Sequence, residues 1–180
     1  EWATEEQCAR FGRNAGDLGP VYGRLWRNFG GEASGIDPTG GVDQIARLVR
    51  DLHEDPKSRR HIVSGWDPQT ADTVALPPCH TLFQCYVHMD GRLDLKLYAR
   101  SIDTFLGLPF NIASYALLMH LLCWKVKTAK MPMQGTEAKE HVPLTPGRLI
   151  ISFGDVHIYR NHTEQVETQL ARTPYAYPTL

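Results

Sequence analysis

Residues Phe110 to Trp124, reading FNIASYALLMHLLCW, form a stretch that is apolar on almost every side of a helix. A helix without a polar face must be buried, so the chain has to supply layers that wrap it. At 180 residues with a 42% hydrophobic share, the chain can bury it within one domain, or most of one. No uninterrupted run of eighteen apolar residues occurs, which excludes a membrane span on sequence grounds.

The rest of the chain offers those layers. Gly30 to Gly41 is a polar loop dense in turn formers. After it, Val42, Ile45, Leu48, Val49 and Leu52 recur at helical spacing, and Asp55-Pro56 ends that helix. Strands are expected over 61–66, 81–87 and 92–98, with Leu93, Leu95 and Leu97 alternating with other side chains in the last. Met89-Asp90-Gly91 joins the second and third as a hairpin. Lys125 to Pro146 is polar, carries three prolines and reads as an excursion from the surface. A strand over 149–153 and a short helix over 164–172 follow. Strands and helices mix without regular alternation. The expected class is α+β, a single domain over 1–180 with a large mixed sheet flanked by helices.

Charge and cysteine usage narrow the partners. With 19 basic and 20 acidic side chains and a net charge of -1, no basic face for DNA is expected. The cysteines at 8, 79, 85 and 123 include no CxxC and no paired Cys/His spacing, so no metal site is expected. They are also too few for a disulfide scaffold, which suggests a reducing compartment. The start, Glu1-Trp2-Ala3-Thr4-Glu5-Glu6, is acidic and unlike a signal peptide. It reads as the middle of a longer, cytoplasmic product. Asn161-His162-Thr163 is a formal glycosylation acceptor, taken here as chance.

Several segments carry residues suited to chemistry. Cys79 follows Ala75-Leu76-Pro77-Pro78 at a strand entrance. A stiff backbone there suits a nucleophile, although a buried structural thiol is the plainer alternative. His80 is adjacent, but neighbours on a strand point to opposite faces. Arg59-Arg60 and Arg100-Ser101 carry guanidinium forks and a hydroxyl that fit a small anion, or else lie on solvated surface. His157 and Tyr159 share a strand face and could donate to sugar hydroxyls, or simply close a strand end. Asn111 sits at the mouth of the apolar helix. Its amide matches the N3–H and O4 edge of uracil, and a helix cap is the alternative.

Together these segments resemble the thymidylate synthase family. The matching pieces are Asp17 to Gly23, Gly41 to Gln44, Ser58 to Arg60 and Ala75 to His80. They continue with Arg100 to Asp103, Leu106 to Ala113, Gly154 to His162 and Gln169 to Arg172. Each piece is weak alone; their order and spacing together are specific.

The resemblance implies a thymidylate synthase-like fold that dimerises through a sheet face. It implies reductive methylation of dUMP to dTMP with 5,10-methylenetetrahydrofolate as co-substrate, and no metal. By position, Cys79 would attack C6 of dUMP, Tyr22 would support loss of the C5 proton, and Asn111 would read the uracil edge. Asp103 would meet both the base and the pterin. Arg100 and Ser101 would hold the phosphate, while Arg59 and Arg60 would reach the partner's phosphate site in an obligate homodimer. His157 and Tyr159 would take the ribose 3′-hydroxyl. Trp2, Leu76, Leu108 and Phe110 would line the folate pocket.

Departures from the family pattern keep alternatives open. The resemblance places a catalytic glutamate and an arginine loop upstream of Glu1, and a closing C-terminal segment beyond Leu180. Ala99 stands where the family usually has Gln, and Lys125 to Pro146 is longer than usual. A deoxyuridylate hydroxymethylase of bacteriophage type, acting in the host cytoplasm, shares the fold and the cysteine. There water, rather than a hydride, would capture the exocyclic methylene. Asn111 argues against a dCMP enzyme, because relatives acting on cytosine resemble this site with Asp there. A non-catalytic nucleotide-binding homologue is the reading from another class, and the presence of both Cys79 and Tyr22 speaks against it. A Cys-His hydrolase has only Cys79 and His80 behind it.

Overall fold

The computed structural model describes residues 4–31, 40–128 and 143–178. Helix α1 spans Glu5–Ala9, α2 Gly23–Arg27 and α3 Gln44–Glu54. Strand β1 covers Ile62–Ser64, β2 His80–Val87 and β3 Arg92–Asp103. Helix α4 runs Gly107–Thr128, β4 Thr145–His157 and α5 Thr163–Leu170. Single 3-10 turns lie at Ala71–Thr73 and Arg160–His162. The strands form one mixed sheet in the order β1-β2-β3-β4, antiparallel except for the parallel pair β3-β4.

Local chemistry explains the elements. The Asp43 carboxylate caps α3 by accepting from the Ala46 amide at 2.9 Å. It also takes the Arg27 guanidinium at 2.7 Å, which ties α2 to α3. The Gln44 amide donates to the Leu25 and Ser64 carbonyls at 2.9 and 2.8 Å and accepts from the Ser64 amide at 2.9 Å. One half-buried side chain thus joins α2, α3 and β1 with its oxygen and nitrogen both satisfied. The hairpin closes as its Asp-Gly dipeptide predicts: the His88 amide donates to Arg92 at 2.8 Å, and Gly91 takes φ +85° in the loop.

The core lies between one sheet face and the helices α3 and α4. Phe83, Leu95 and Leu97 from the sheet meet Leu48 and Leu52 of α3 and Tyr115, Met119 and Leu122 of α4. The expectation that α4 is buried all round is corrected here. Its buried residues are Tyr115, Met119, Leu122, Cys123 and Val126, one stripe at helical spacing. Phe110, Leu117, Leu121 and Trp124 on other sides are exposed, Trp124 by 61%. Those four side chains are not in the core cluster of the described residues. By length and composition α4 is also able to cross a bilayer, so the sequence-based exclusion of a span does not stand on composition. The packing of that stripe on β3 and β4 is what marks α4 as a core helix.

The segment read as a surface excursion is shorter than expected at both ends. Lys125 to Thr128 finish α4, and Thr145 and Pro146 open β4. Residues 129–142 lie outside the described residues.

Asp94 locks β4 beside β3. Its buried carboxylate accepts from the Arg148 amide at 2.7 Å, from Arg148 Nε and Nη2 at 3.0 and 2.8 Å, and from His88 Nε2 at 3.0 Å. Burial pushes the carboxyl up, but the bonds from Arg148 and His88 outweigh it and hold the group well below the ordinary aspartate value of 3.8. Its stabilisation is therefore full above about pH 4 and is lost as pH falls through the lower folded-state value. Asp94→Asn is expected to cost about 2 kcal/mol at pH 7. The gap to the wild-type protein should narrow in urea titrations taken below pH 4. A gap independent of pH would mean that the carboxylate charge contributes nothing.

Candidate active site

Cys79 is the accessible member of the four cysteines. Cys8, Cys85 and Cys123 are buried, whereas Cys79 is half-buried. Burial pushes Cys85 up to about 12 and Cys123 up to about 11, which leaves both as inert thiols at neutral pH.

The backbone of Cys79 is held from both sides. Its amide donates to the Tyr22 hydroxyl at 2.9 Å, and its carbonyl accepts from the Arg100 amide at 2.8 Å. The Arg100 side chain then staples the preceding loop, donating from Nε to Pro78 at 3.0 Å and from Nη2 to Pro77 at 2.9 Å. A buried carbonyl needs a donor, and the guanidinium supplies one to each of these two. The guanidinium carbon lies 5.4 Å from the Trp66 ring centre, within cation–π range.

Tyr22 is itself constrained. It has φ +38°, the one positive φ outside glycine among the described residues. Such a conformation costs on the order of 1–3 kcal/mol and persists where the surroundings demand it. Burial pushes its phenol up to about 12. The hydroxyl therefore stays protonated at neutral pH while its oxygen accepts the Cys79 amide.

Cys79 opens onto a cleft of about 430 Å³. Of the residues singled out from sequence, Tyr22, Ser101, Asp103 and Asn111 line it together with Cys79. Ser101 and Asp103 sit at the end of β3, and α4 starts at Gly107, which carries Asn111 into the cleft one turn later. Asn111 is thus inside α4 and does not cap it. Asp103 takes the preceding turn instead, accepting from the Phe105 and Leu106 amides at 3.0 and 3.3 Å.

His80, Trp26 and Tyr115 also line the cleft; sequence reasoning weighed His80 only as a hydrolase partner and gave Trp26 and Tyr115 no role. His80 Nδ1 lies 3.2 Å from the Tyr115 hydroxyl. Its ring packs edge-on against Tyr22 and Tyr115, with centroids 5.4 and 5.3 Å apart. Burial lowers the imidazole from 6.5, and a hydrogen bond with the Asn111 side chain pulls partly the other way. Strict strand alternation sends His80 away from Cys79. Cys79, however, lies just ahead of β2, which starts at His80, so strand alternation does not govern the pair.

The remaining candidates lie around this centre. In the β3-β4 register Asp103 faces His157 and Ser101 faces Asp155, so His157 stands one strand from the cleft lining. Its Nδ1 is 2.7 Å from Asp155 Oδ2, and its ring is 5.1 Å from that of Tyr159. Gly154 allows this approach: a side chain there would meet the Arg100 carbonyl at 2.5 Å. Leu76 is half-buried in the cysteine loop, while Leu108 and the 76% exposed Phe110 sit on the first turn of α4. Arg59 and Arg60 are exposed ahead of β1, roughly 20 Å from Cys79 along the strands. Trp2 is outside the described residues. Ala99 does not line the cleft; it is fully buried beneath it, paired with His80 and Phe153. Among the described residues no cluster of three or more His, Cys, Asp or Glu is placed to hold a metal.

Comparison with known proteins converges on one family. The family model described as thymidylate synthase matches residues 1–180. A probable thymidylate synthase of Escherichia phage T5 is 50% identical over 176 residues, covering 98% of this chain and 54% of that protein. The thymidylate synthase of Mesoplasma florum is 50% identical over 159 residues, covering 88% of this chain and 46% of that protein. The chain thus spans about half the length of the curated relatives it matches. With every residue inside the family model and an accessible cysteine facing an amide across one cleft, the chain belongs to the thymidylate synthase family.

Proposed function

We propose that this protein carries out the reductive methylation of dUMP to dTMP. The observation that carries this reading is Cys79, a half-buried thiol pinned through its own amide and carbonyl, in one cleft with Asn111. A thiol fixed at both flanking peptide groups suits attack on an electron-poor ring carbon, here C6 of the pyrimidine. The Asn111 amide has an acceptor for N3–H and donors for O4, so it suits uracil. Arg100 spends two of its N–H groups on the proline carbonyls and keeps others for a phosphate, with the Ser101 hydroxyl beside it. His157 and Tyr159 supply partners for the ribose 3′-hydroxyl. Tyr22, a neutral phenol touching the Cys79 peptide, supports proton removal from C5 once the adduct has formed.

The exposed Phe110 ring and half-buried Leu108, beside Asn111 on α4, offer apolar surface that fits a flat pterin. Trp2 and Leu76 belong to the same proposed pocket, and Asp103 offers a carboxylate to base and pterin. Methylenetetrahydrofolate would supply both the one-carbon unit and the hydride. A nucleophilic thiol at Cys79 fits a reducing cytoplasm, that of the host if the gene is a phage's.

The second partner is another copy of the chain. The sheet face away from α3 and α4 exposes Ile62, Leu82, Tyr86, Tyr98 and Ile150, a flat apolar surface of the kind buried in symmetric dimers. Pairing there would let Arg59 and Arg60 reach the partner's phosphate site. Tyr98→Glu is expected to convert a dimer to a monomer in light scattering and to remove activity with it. A monomeric wild-type protein, or a dimeric Tyr98→Glu, would rule this face out.

The test of function is full-length protein with dUMP and methylenetetrahydrofolate, the product being identified by mass spectrometry. A C5 methyl group formed together with dihydrofolate is the expected result. A hydroxymethyl group with tetrahydrofolate released would overturn it in favour of hydroxymethylation. Binding of dUMP with no product would overturn it in favour of a non-catalytic role.

A further inference from the structure

We propose that Asp155 is a positioning residue that fixes the tautomer of His157 and thereby sets recognition of the nucleotide's 3′-hydroxyl. This rests on the reading of His157 and Tyr159 as the ribose site. Asp155 and His157 are two apart on β4, so their side chains leave the same face of the strand. His157 Nδ1 lies 2.7 Å from Asp155 Oδ2. A carboxylate only accepts, so the bond requires Nδ1 to carry the proton. Neutral His157 then presents an unprotonated Nε2, which can only accept.

The neighbouring groups give that choice a use. Tyr159, whose ring stands edge-on 5.1 Å from the imidazole, carries a phenol able to donate. A hydroxyl group donates once and accepts. An accepting Nε2 beside a donating phenol therefore matches a sugar 3′-hydroxyl in both senses. With the other tautomer Nε2 would donate, and the sugar hydroxyl would have to send its own proton to the phenol oxygen, reversing the sense of both bonds. The position of the pair is also well fixed. The His157 carbonyl accepts from both the amide and the hydroxyl of Thr104, at 3.0 and 2.9 Å, and the register sets His157 opposite Asp103 of the cleft. Asp155 faces Ser101, the residue assigned to the phosphate. A carboxylate there is a liability for binding an anion unless it serves a neighbour, and His157 is the neighbour it holds.

The test uses the full-length protein and measures equilibrium binding of dUMP and of its 3′-deoxy analogue. The wild-type protein is expected to prefer dUMP by about tenfold or more, the usual scale for one matched hydroxyl in a built site. Asp155→Ala should bring that preference to within about threefold while leaving affinity for the 3′-deoxy analogue unchanged. Asp155→Asn, whose amide oxygen still accepts from Nδ1–H, should restore the preference. A merely structural role would weaken both ligands together and would not be rescued by Asn. His157→Ala separates the two layers of the argument. If it abolishes the preference while Asp155→Ala retains it, the role of Asp155 is overturned and the ribose site stands. If His157→Ala keeps the preference, the ribose reading falls and takes this proposal with it.

Discussion

Cys79→Ala is expected to abolish turnover, by about four orders of magnitude or more, while dUMP binding stays within a few-fold of wild type. The two effects separate because the thiol makes the bond and does not hold the ligand. Phosphate, ribose and base are proposed for Arg100, Ser101, His157, Tyr159 and Asn111, not for the thiol. The peptide contacts to Tyr22 and Arg100 involve the backbone of Cys79 and survive its truncation. Cys85→Ala and Cys123→Ala serve as controls: each removes a buried core thiol, so each should lower stability by about 1 kcal/mol and leave the chemistry alone. Single-turnover assays with titration of dUMP decide the matter. Product formation by the Cys79→Ala protein would sink covalent catalysis at this residue. Loss of dUMP binding would instead make the thiol part of the loop's architecture.

The fold was legible where one local signal dominated. The apolar stripe of α3 with its stop at Asp55-Pro56, and the Asp-Gly hairpin, need only neighbours in sequence. Strand lengths were misjudged where a long-range contact decides them. β4 was expected over 149–153, yet it runs Thr145–His157, through Pro146, Gly147 and Gly154. Those residues read as breaks, but Pro146 lies near the strand's beginning and Gly154 admits the Arg100 backbone. β3 likewise continues past Tyr98 to Asp103, where Ser101 and Asp103 interrupt the alternation because they line a cleft and Arg100 because it holds the Pro77-Pro78 carbonyls. The site shows the same division. Cys79, Asn111 and Asp103, which line one cleft, sit in motifs that resemble the family's. His80, Tyr115 and Asp155 act on other side chains, and such pairings have no signature in a linear pattern.

Asn111→Asp is expected to reverse the choice of base. His80 gives the physical reason that the wild-type choice is firm. Burial lowers the His80 imidazole and raises the Tyr115 phenol; with Tyr115 donating to Nδ1, the other ring nitrogen carries the proton offered to the Asn111 side chain that His80 bonds. An amide whose oxygen is claimed by a donor cannot flip, and its NH₂ remains directed at a ligand acceptor. Uracil O4 is such an acceptor, whereas the cytosine amino group is a donor and meets a donor. A carboxyl group at this position reverses the match. The carboxylate accepts from the cytosine amino group and confronts uracil O4 with no proton to share. Leaving a polar edge unpaired in a built site costs two to four orders of magnitude in kcat/KM, and about a thousandfold loss is expected for dUMP. Turnover of dCMP should rise relative to it, so the ratio of the two kcat/KM values is the quantity to measure. Asn111→Ala, which removes both donor and acceptor, should slow dUMP without favouring dCMP. If Asn111→Asp and Asn111→Ala give the same ratio, the side chain at 111 does not read the base, and discrimination must come from elsewhere in the cleft.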